Sequence, residues 1–238
     1  MSNIRVENLG REVVAYTDPD HRVGTDACLL AAFSSPRKID TAVDLGTGCG
    51  IIPLLWFAGE TPPGAAFALE LQPRAAELAR KGAAHSGLEE RLRVVQGDIR
   101  DLPDVLPNGV FDLVTCNPPY KTVGAGILST TDSGKIARHE TTCTLDDVCA
   151  AASKLLRFGG RLCVCQRPER LPDLLCSMRA HRIEPKRLRF VHKDAHSPPW
   201  LVLCEGKLGS KPFLQVEAPI LLDGKQTTAG YGSEVTGP

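Results

Sequence analysis

Asn117-Pro118-Pro119-Tyr120 places a polar amide, two rigid residues and an aromatic ring directly after the apolar run from Phe111 to Cys116, where a strand opens into a loop. Proline fixes φ and carries no backbone donor, so the carbonyls around the two prolines are held still and left open to accept hydrogen bonds. This combination suits the presentation of a flat amino group. The nitrogen of such a group is a poor nucleophile because its lone pair is delocalised into the ring that bears it. If the Asn117 side-chain oxygen and the Pro118 carbonyl both accept from it, the nitrogen is drawn toward tetrahedral geometry and its lone pair can be aimed at an electrophile. Pro119 stiffens the same turn, and Tyr120 would stack on the ring, which must first be unstacked from its neighbours. The plain alternative is a proline-stiffened turn without chemistry, but such a turn does not require asparagine.

The elements that must position this loop follow from hydrophobic patterning. From residue 41 onward, short apolar runs alternate with helix-period segments, the pattern of βαβ units and a parallel sheet, so the fold class is α/β. The spacing predicts strands over 41–45, 65–70, 92–96, 111–116, 161–166, 185–191 and 200–205. Helices are predicted over about 50–59, 73–86, 145–157 and 170–181, with Pro73 at one helix start and Thr144 with Asp147 at another. A further helix from 26 to 33 is expected to be capped near Thr25 or Asp26. Residues 121–143 form a long loop rich in Gly, Thr and Ser, of a length that is usually functional or disordered.

Ligands of a parallel sheet sit at the carboxyl ends of its strands, in the crevice where strand order reverses. Asp44 ends the first predicted strand there, and Gly46, Thr47, Gly48 and Gly50 form a turn that can pass close under a cofactor. The spacing is G-x-G-x-G rather than the G-x-G-x-x-G of dinucleotide folds, which counts against NAD and a hydride-transfer enzyme. Glu70, at the end of the second strand, is placed to accept from a ribose diol. Asp98, followed by Ile99 after the third strand, is placed to accept from an adenine amino group. A single acid at a strand end is ordinarily solvated or a helix cap; three in register at successive strand ends form a series.

Composition bounds the rest. At 238 residues with 42% hydrophobic content, the chain suffices for one large α/β domain. Its 28 basic and 28 acidic residues cancel, so a nucleic-acid surface would have to be a local patch. One such run holds Arg179, Arg182, Lys186, Arg187, Arg189 and Lys193 against Glu184 alone; a solvated edge is the alternative to phosphate contact. The nine cysteines lack Cys-x-x-Cys pairs, which predicts core packing and no metal site. No apolar run approaches the roughly 18 to 20 residues of a membrane span. A reduced, cytoplasmic setting without membrane attachment is expected, and the oligomeric state is not legible.

The order Asp44 with Gly46, Glu70, Asp98 and Asn117 resembles the motif series of class I S-adenosylmethionine-dependent methyltransferases. The resemblance implies a single Rossmann-like domain with a seven-stranded, mostly parallel sheet, helices on both faces and S-adenosylmethionine as cofactor. In that superfamily the N-P-P-Y loop goes with amino methylation of adenine, of guanine N2 in some ribosomal RNA enzymes, or of a release-factor glutamine amide. His21-Arg22-Val23-Gly24-Thr25-Asp26-Ala27-Cys28-Leu29-Leu30 further resembles the N-terminal segment of the bacterial tRNA1(Val) adenine-37 N6-methyltransferase family, and Ala137-Arg138-His139-Glu140 and Gly159-Gly160-Arg161 resemble later parts of the same family. That likeness spans roughly residues 14–207 and departs at His196-Ser197-Pro198-Pro199-Trp200 and beyond 206. It implies N6-methylation of adenine in tRNA, near the anticodon. It also implies catalytic roles for Asn117, Pro118, Pro119 and Tyr120, and cofactor contacts from Thr25, Asp26, Asp44, Gly46, Thr47, Gly48, Gly50, Glu70, Asp98, Ile99 and Asn117. Substrate contacts fall to Tyr120, Lys121, Arg138, His139, Lys186 and Arg187. The expected organisation is an N-terminal segment over 1–40 packed on the cofactor site, a catalytic core over 41–206 and an extension over 207–238. A glutamine methyltransferase would want an extra N-terminal helical domain, for which 40 residues are too few, and a non-catalytic RNA-binding scaffold would not need the acids and Asn117 intact.

Overall fold

A computed structural model of the chain describes residues 4–119 and 143–222. The chain opens with a hairpin, β1 (Arg5–Gly10) against β2 (Val13–Thr17), followed by α1 (Thr25–Ser34). Then come β3 (Thr41–Leu45), α2 (Ile51–Ala58), β4 (Ala65–Glu70), α3 (Pro73–His85), β5 (Leu92–Gln96) and β6 (Phe111–Cys116). Beyond residue 143 lie α4 (Leu145–Leu155), β7 (Leu156–Gln166), α5 (Leu171–Ala180), β8 (Ile183–His192) and β9 (Pro199–Leu208). Two-residue strands β10 (Gln215–Val216) and β11 (Ile220–Leu221) complete the described chain.

The main sheet has the order β10-β8-β9-β7-β6-β3-β4-β5, with β11 also on β8. Strands β3 to β7 run parallel, and β9 is antiparallel to both of its neighbours. All seven strands read from the sequence are present. The sheet reaches nine among the described residues because part of the segment beyond 206 pairs with the outer edge of β8, covering backbone groups that would otherwise be exposed. The chain proceeds from β3 through β4 to β5 in one direction and from β6 to β7 in the other. Order therefore reverses between β3 and β6, and a crevice opens at their carboxyl ends.

Burial on both faces explains the near-continuous apolar strands. Leu30, Trp56, Leu78, Cys163 and Cys165 pack on the face of α1, α2 and α3; Leu69, Phe111, Val148, Leu155 and Leu174 pack on the face of α4 and α5. The one charged interruption of β3, Asp44, is fully buried and accepts from the Thr115 hydroxyl of β6 at 2.6 Å.

Helix ends show two different solutions. At α4, Thr144 and Asp147 form the reciprocal capping box that their spacing predicts. At α1 the cap is Gly24 with no side-chain bond, rather than Thr25 or Asp26. A side chain at position 24 would overlap the Asp26 carboxylate, which folds back over the helix start and accepts from the Ala27 amide. The other end of α1 leaves carbonyls to satisfy. Arg187 donates to the Phe33 carbonyl at 2.8 Å, and Arg161 donates to those of Ser34 and Ser35. Glu205 lies between the two guanidinium groups and accepts from both.

Strand β7 begins earlier than the sequence pattern suggests, at Leu156, and a register shift against β6 absorbs the extra residues. Gly160 sits in that irregularity, where an added Cβ would lie 2.8 Å from the Phe111 carbonyl oxygen and 2.9 Å from a Leu156 methyl. Gly160→Ala is expected to cost about 1–3 kcal/mol of stability as an overpacking change, measured as a lower urea midpoint with an unaltered slope.

Candidate functional site

The glycine turn after β3 builds the first wall of the crevice. Gly46 (φ +68) and Gly48 (φ +60) adopt left-handed backbone. A Cβ at Gly48 would meet nothing within 4 Å, and one at Gly46 would meet only Ile99 Cδ1, at 3.8 Å. The turn is braced from β4: Glu70, only 6% exposed, accepts from the Gly48 amide at 2.7 Å and from the Gln72 amide at 2.8 Å. Each carboxylate oxygen retains a lone pair for a ligand.

These groups bound a cavity of about 390 Å³, whose wall runs from Gly46 past Glu70, Asp98 and Ile99 to Asn117 and Pro118. Its size lies in the range of small-molecule sites. Asp98 is held by Arg100, whose Nε donates to the two carboxylate oxygens at 3.0 and 3.1 Å; this pairing holds its carboxyl below the usual range. Open space over two glycines, a buried carboxylate at one strand end and an ionised one at the next, with Leu71 and Ile99 as apolar walls, fit an adenosine-bearing cofactor.

Asn117 stands at the end of β6 between two elements. Its Nδ2 donates to Asp26 Oδ2 of α1 at 3.1 Å, and its Oδ1 accepts from the Cys165 thiol of β7 at 3.0 Å. A carboxylate only accepts, so Asp26 obliges the amide nitrogen to face α1 and the oxygen to face β7. Asp26, expected at the cofactor, is thus placed to orient the amide. Cys165 was not singled out from the sequence, where its spacing from Cys163 indicates only a shared strand face.

Other expected residues fall elsewhere. Asp44 lies behind the turn rather than on the cavity wall, and Gly50 caps α2 against Ala79 of α3, where an added Cβ would come within 3.0 Å. Thr25 is exposed at the start of α1. Arg187, expected at the substrate, instead has its guanidinium engaged by the Phe33 carbonyl at the end of α1, by Glu205 and by the face of Phe33, 4.0 Å away. Lys186 donates to the Lys211 carbonyl and also stands toward the amino end of β8, away from the crevice. Arg179 pairs with Glu184 and Arg189 donates to the Ala218 carbonyl, while Arg182 is exposed, so most of the basic run is taken up by structural contacts and Lys193 stands at the crevice rim. Tyr120, Lys121, Arg138 and His139 lie outside the described residues.

Comparison with known proteins agrees with this geometry. A family model described as a methyltransferase domain matches residues 37–194. A protein of Porphyromonas gingivalis named tRNA1(Val) (adenine(37)-N6)-methyltransferase is 34% identical over 77% of this chain and 73% of its own length. Among solved structures, a predicted O-methyltransferase, Atu636 of Agrobacterium tumefaciens, superposes with a TM-score of 0.66 at 21% identity, covering 83% of this chain and 88% of its own. Geranyl diphosphate C-methyltransferase from Streptomyces coelicolor A3(2), solved with S-adenosyl-L-homocysteine, gives 0.54 at 15% identity, covering 76% and 77%. Both share the fold.

Burial raises the Asp44 carboxyl to about 7, against the lowering effect of the Thr115 and Thr47 hydroxyls. The folded state therefore holds this proton more tightly than the unfolded chain. The stability it contributes is complete below about pH 4 and is lost as pH rises through about 7. Asp44→Asn cannot ionise. Its stability should lack this fall, which in the parent chain amounts to a few kcal/mol, as read from urea unfolding between about pH 5 and about pH 8.

Proposed function

The chain belongs to the tRNA1(Val) (adenine(37)-N6)-methyltransferase family, and from that premise we propose that it methylates the exocyclic N6 of adenine-37 in tRNA, beside the anticodon, with S-adenosylmethionine as cofactor. The observation that carries the reading is the clamped Asn117 amide at the end of β6, beside a cavity that fits the cofactor. When bound, S-adenosylmethionine supplies a methyl group made electrophilic by its sulfonium sulfur. Gly46 and Gly48 let the main chain approach it, Glu70 accepts from its ribose, and Asp98 with Ile99 receives its adenine.

The target adenine must leave its stack to reach Asn117. An amide oxygen can accept two hydrogen bonds, so Asn117 Oδ1 accepts from the amino group as well as from Cys165, and the Pro118 carbonyl supplies a second acceptor. Two acceptors fixed before the substrate arrives orient the amino group without reorganisation during the reaction. No strong base is required, because the proton on nitrogen can leave after the methyl group has been transferred. The nine thiols, none of them in a disulfide, fit the reducing cytoplasm in which such a substrate is found.

The direct test is incubation with labelled cofactor and unmodified tRNA, followed by digestion to nucleosides. Label in N6-methyladenosine supports the reading, whereas label in a translation-factor protein or in N2-methylguanosine would replace it. Asn117→Ala should lower turnover by about 10²-fold or more, as for loss of an oxyanion-hole donor, with little change in cofactor affinity. Glu70→Ala should instead weaken cofactor binding by about 10- to 100-fold, the range for bonds to a charged acceptor, measured by calorimetry with S-adenosylhomocysteine.

A further inference from the structure

A second concavity, of about 580 Å³, opens on the same rim of the sheet as the candidate site. It is formed by Arg167 and Arg170 after β7, Lys193 after β8, and Pro198, Pro199 and Trp200 at the start of β9. Both β7 and β8 end on the rim that carries Asn117, and antiparallel β9 begins there. Arg167 follows Cys165 by two residues. The backbone stays extended at Arg167 (φ −67, ψ 140), one residue past β7, and side chains two apart along an extended chain share a face at about 6–7 Å, so Arg167 continues the face on which the Cys165 thiol meets Asn117. The concavity thus extends the crevice away from the cofactor cavity.

Its chemistry is that of a polyanion groove with an aromatic wall. Among the lining residues Arg167, Arg170 and Lys193 bring three positive charges against one carboxylate, that of Glu169, with the exposed carboxylate of Asp173 beside Arg170. Arg170 also pairs with Asp173 at 2.7 Å, through Nε. Arg167 donates to the Trp200 carbonyl at 2.9 Å, and its guanidinium lies 5.6 Å from the centre of the Trp200 ring. The arginine and the indole therefore hold each other in place, so that charge and aromatic surface are presented together. Lys193 is exposed and Trp200 half-buried. An alternation of cations with an aromatic face matches the alternation of phosphates and bases along single-stranded nucleic acid.

We propose that this groove holds the phosphates of the RNA strand flanking the methylated adenine, with Arg170 and Lys193 as the phosphate contacts and Arg167 on Trp200 as the wall against which the strand is laid. The proposal rests on the tRNA-methylation reading and adds to it a substrate subsite beyond the amide loop. The groove lies apart from the cofactor cavity, so it governs the affinity for RNA and leaves cofactor binding alone.

The test compares the full-length protein with Arg170→Glu, Lys193→Glu and the double variant, all checked for unchanged thermal melting. The measurements are tRNA binding at several salt concentrations, methyl transfer to tRNA, and calorimetric binding of S-adenosylhomocysteine. The double variant should raise KM for tRNA by about tenfold or more and reduce the salt slope of binding by about one per cation removed, with kcat and cofactor affinity unchanged. Arg170→Lys should retain most of the parental affinity. A double variant with parental KM and parental salt slope would overturn the groove while leaving the methylation reading intact. A parent protein that binds tRNA with the expected salt slope, lost in the double variant, but methylates no adenine would overturn the reaction and support the groove. A parent protein that binds no tRNA would overturn both.

Discussion

The contact on which the site depends is the buried bond from the Thr115 hydroxyl to Asp44, joining β6 to β3. These neighbouring strands are the ones from which the chain departs in opposite directions. After β3 it turns through the glycines toward α2, and after β6 it runs into Asn117 and the prolines. The cavity exists because the two exits diverge, and it keeps its shape because the strands beneath them cannot slide. Placing a carboxyl near the carboxyl end of a fully buried parallel strand costs desolvation, which is why its proton is held so tightly.

From that seam the functional groups fan out along one rim in an order set by the sheet. The wall of the cofactor-sized cavity lies over β3, β4 and β5, the amide sits at β6, and the cationic groove occupies the ends of β7, β9 and β8. The proposed chemistry thus sits at the centre, with the cofactor-sized cavity on one side and the groove proposed for RNA on the other. The antiparallel insertion of β9 matters here. It returns the chain to the rim at Trp200, so that a residue late in the sequence stands beside Arg167.

Much of this was legible in the sequence. Period and punctuation placed β3 to β6 and the helices between them because each is a short, locally determined unit with clear turn residues at its ends. The acids and glycines were legible as a series because a parallel sheet repeats the same geometry at each strand end. What did not read through were contacts between distant segments. The basic run of β8 looked like a phosphate surface, since nothing in it announces that Arg187 would close the carbonyls of α1, more than 150 residues earlier in the chain. Cys165 looked like packing because its partner, Asn117, stands on another strand. The bulge that lengthens β7 comes from pairing with Phe111, not from its own pattern.

The bond from Asn117 to Asp26 has one more implication. A primary amide is almost symmetric in shape, so that a half-turn about its last torsion exchanges a donor for an acceptor at hardly any steric cost. A pocket relying on a lone asparagine would therefore hold two electrically opposite states of similar shape, only one of which attracts an amino group. By fixing an obligate acceptor on α1, the fold removes this twofold degeneracy, and the polarity of the pocket becomes a property of the N-terminal helix rather than of the residue that displays it.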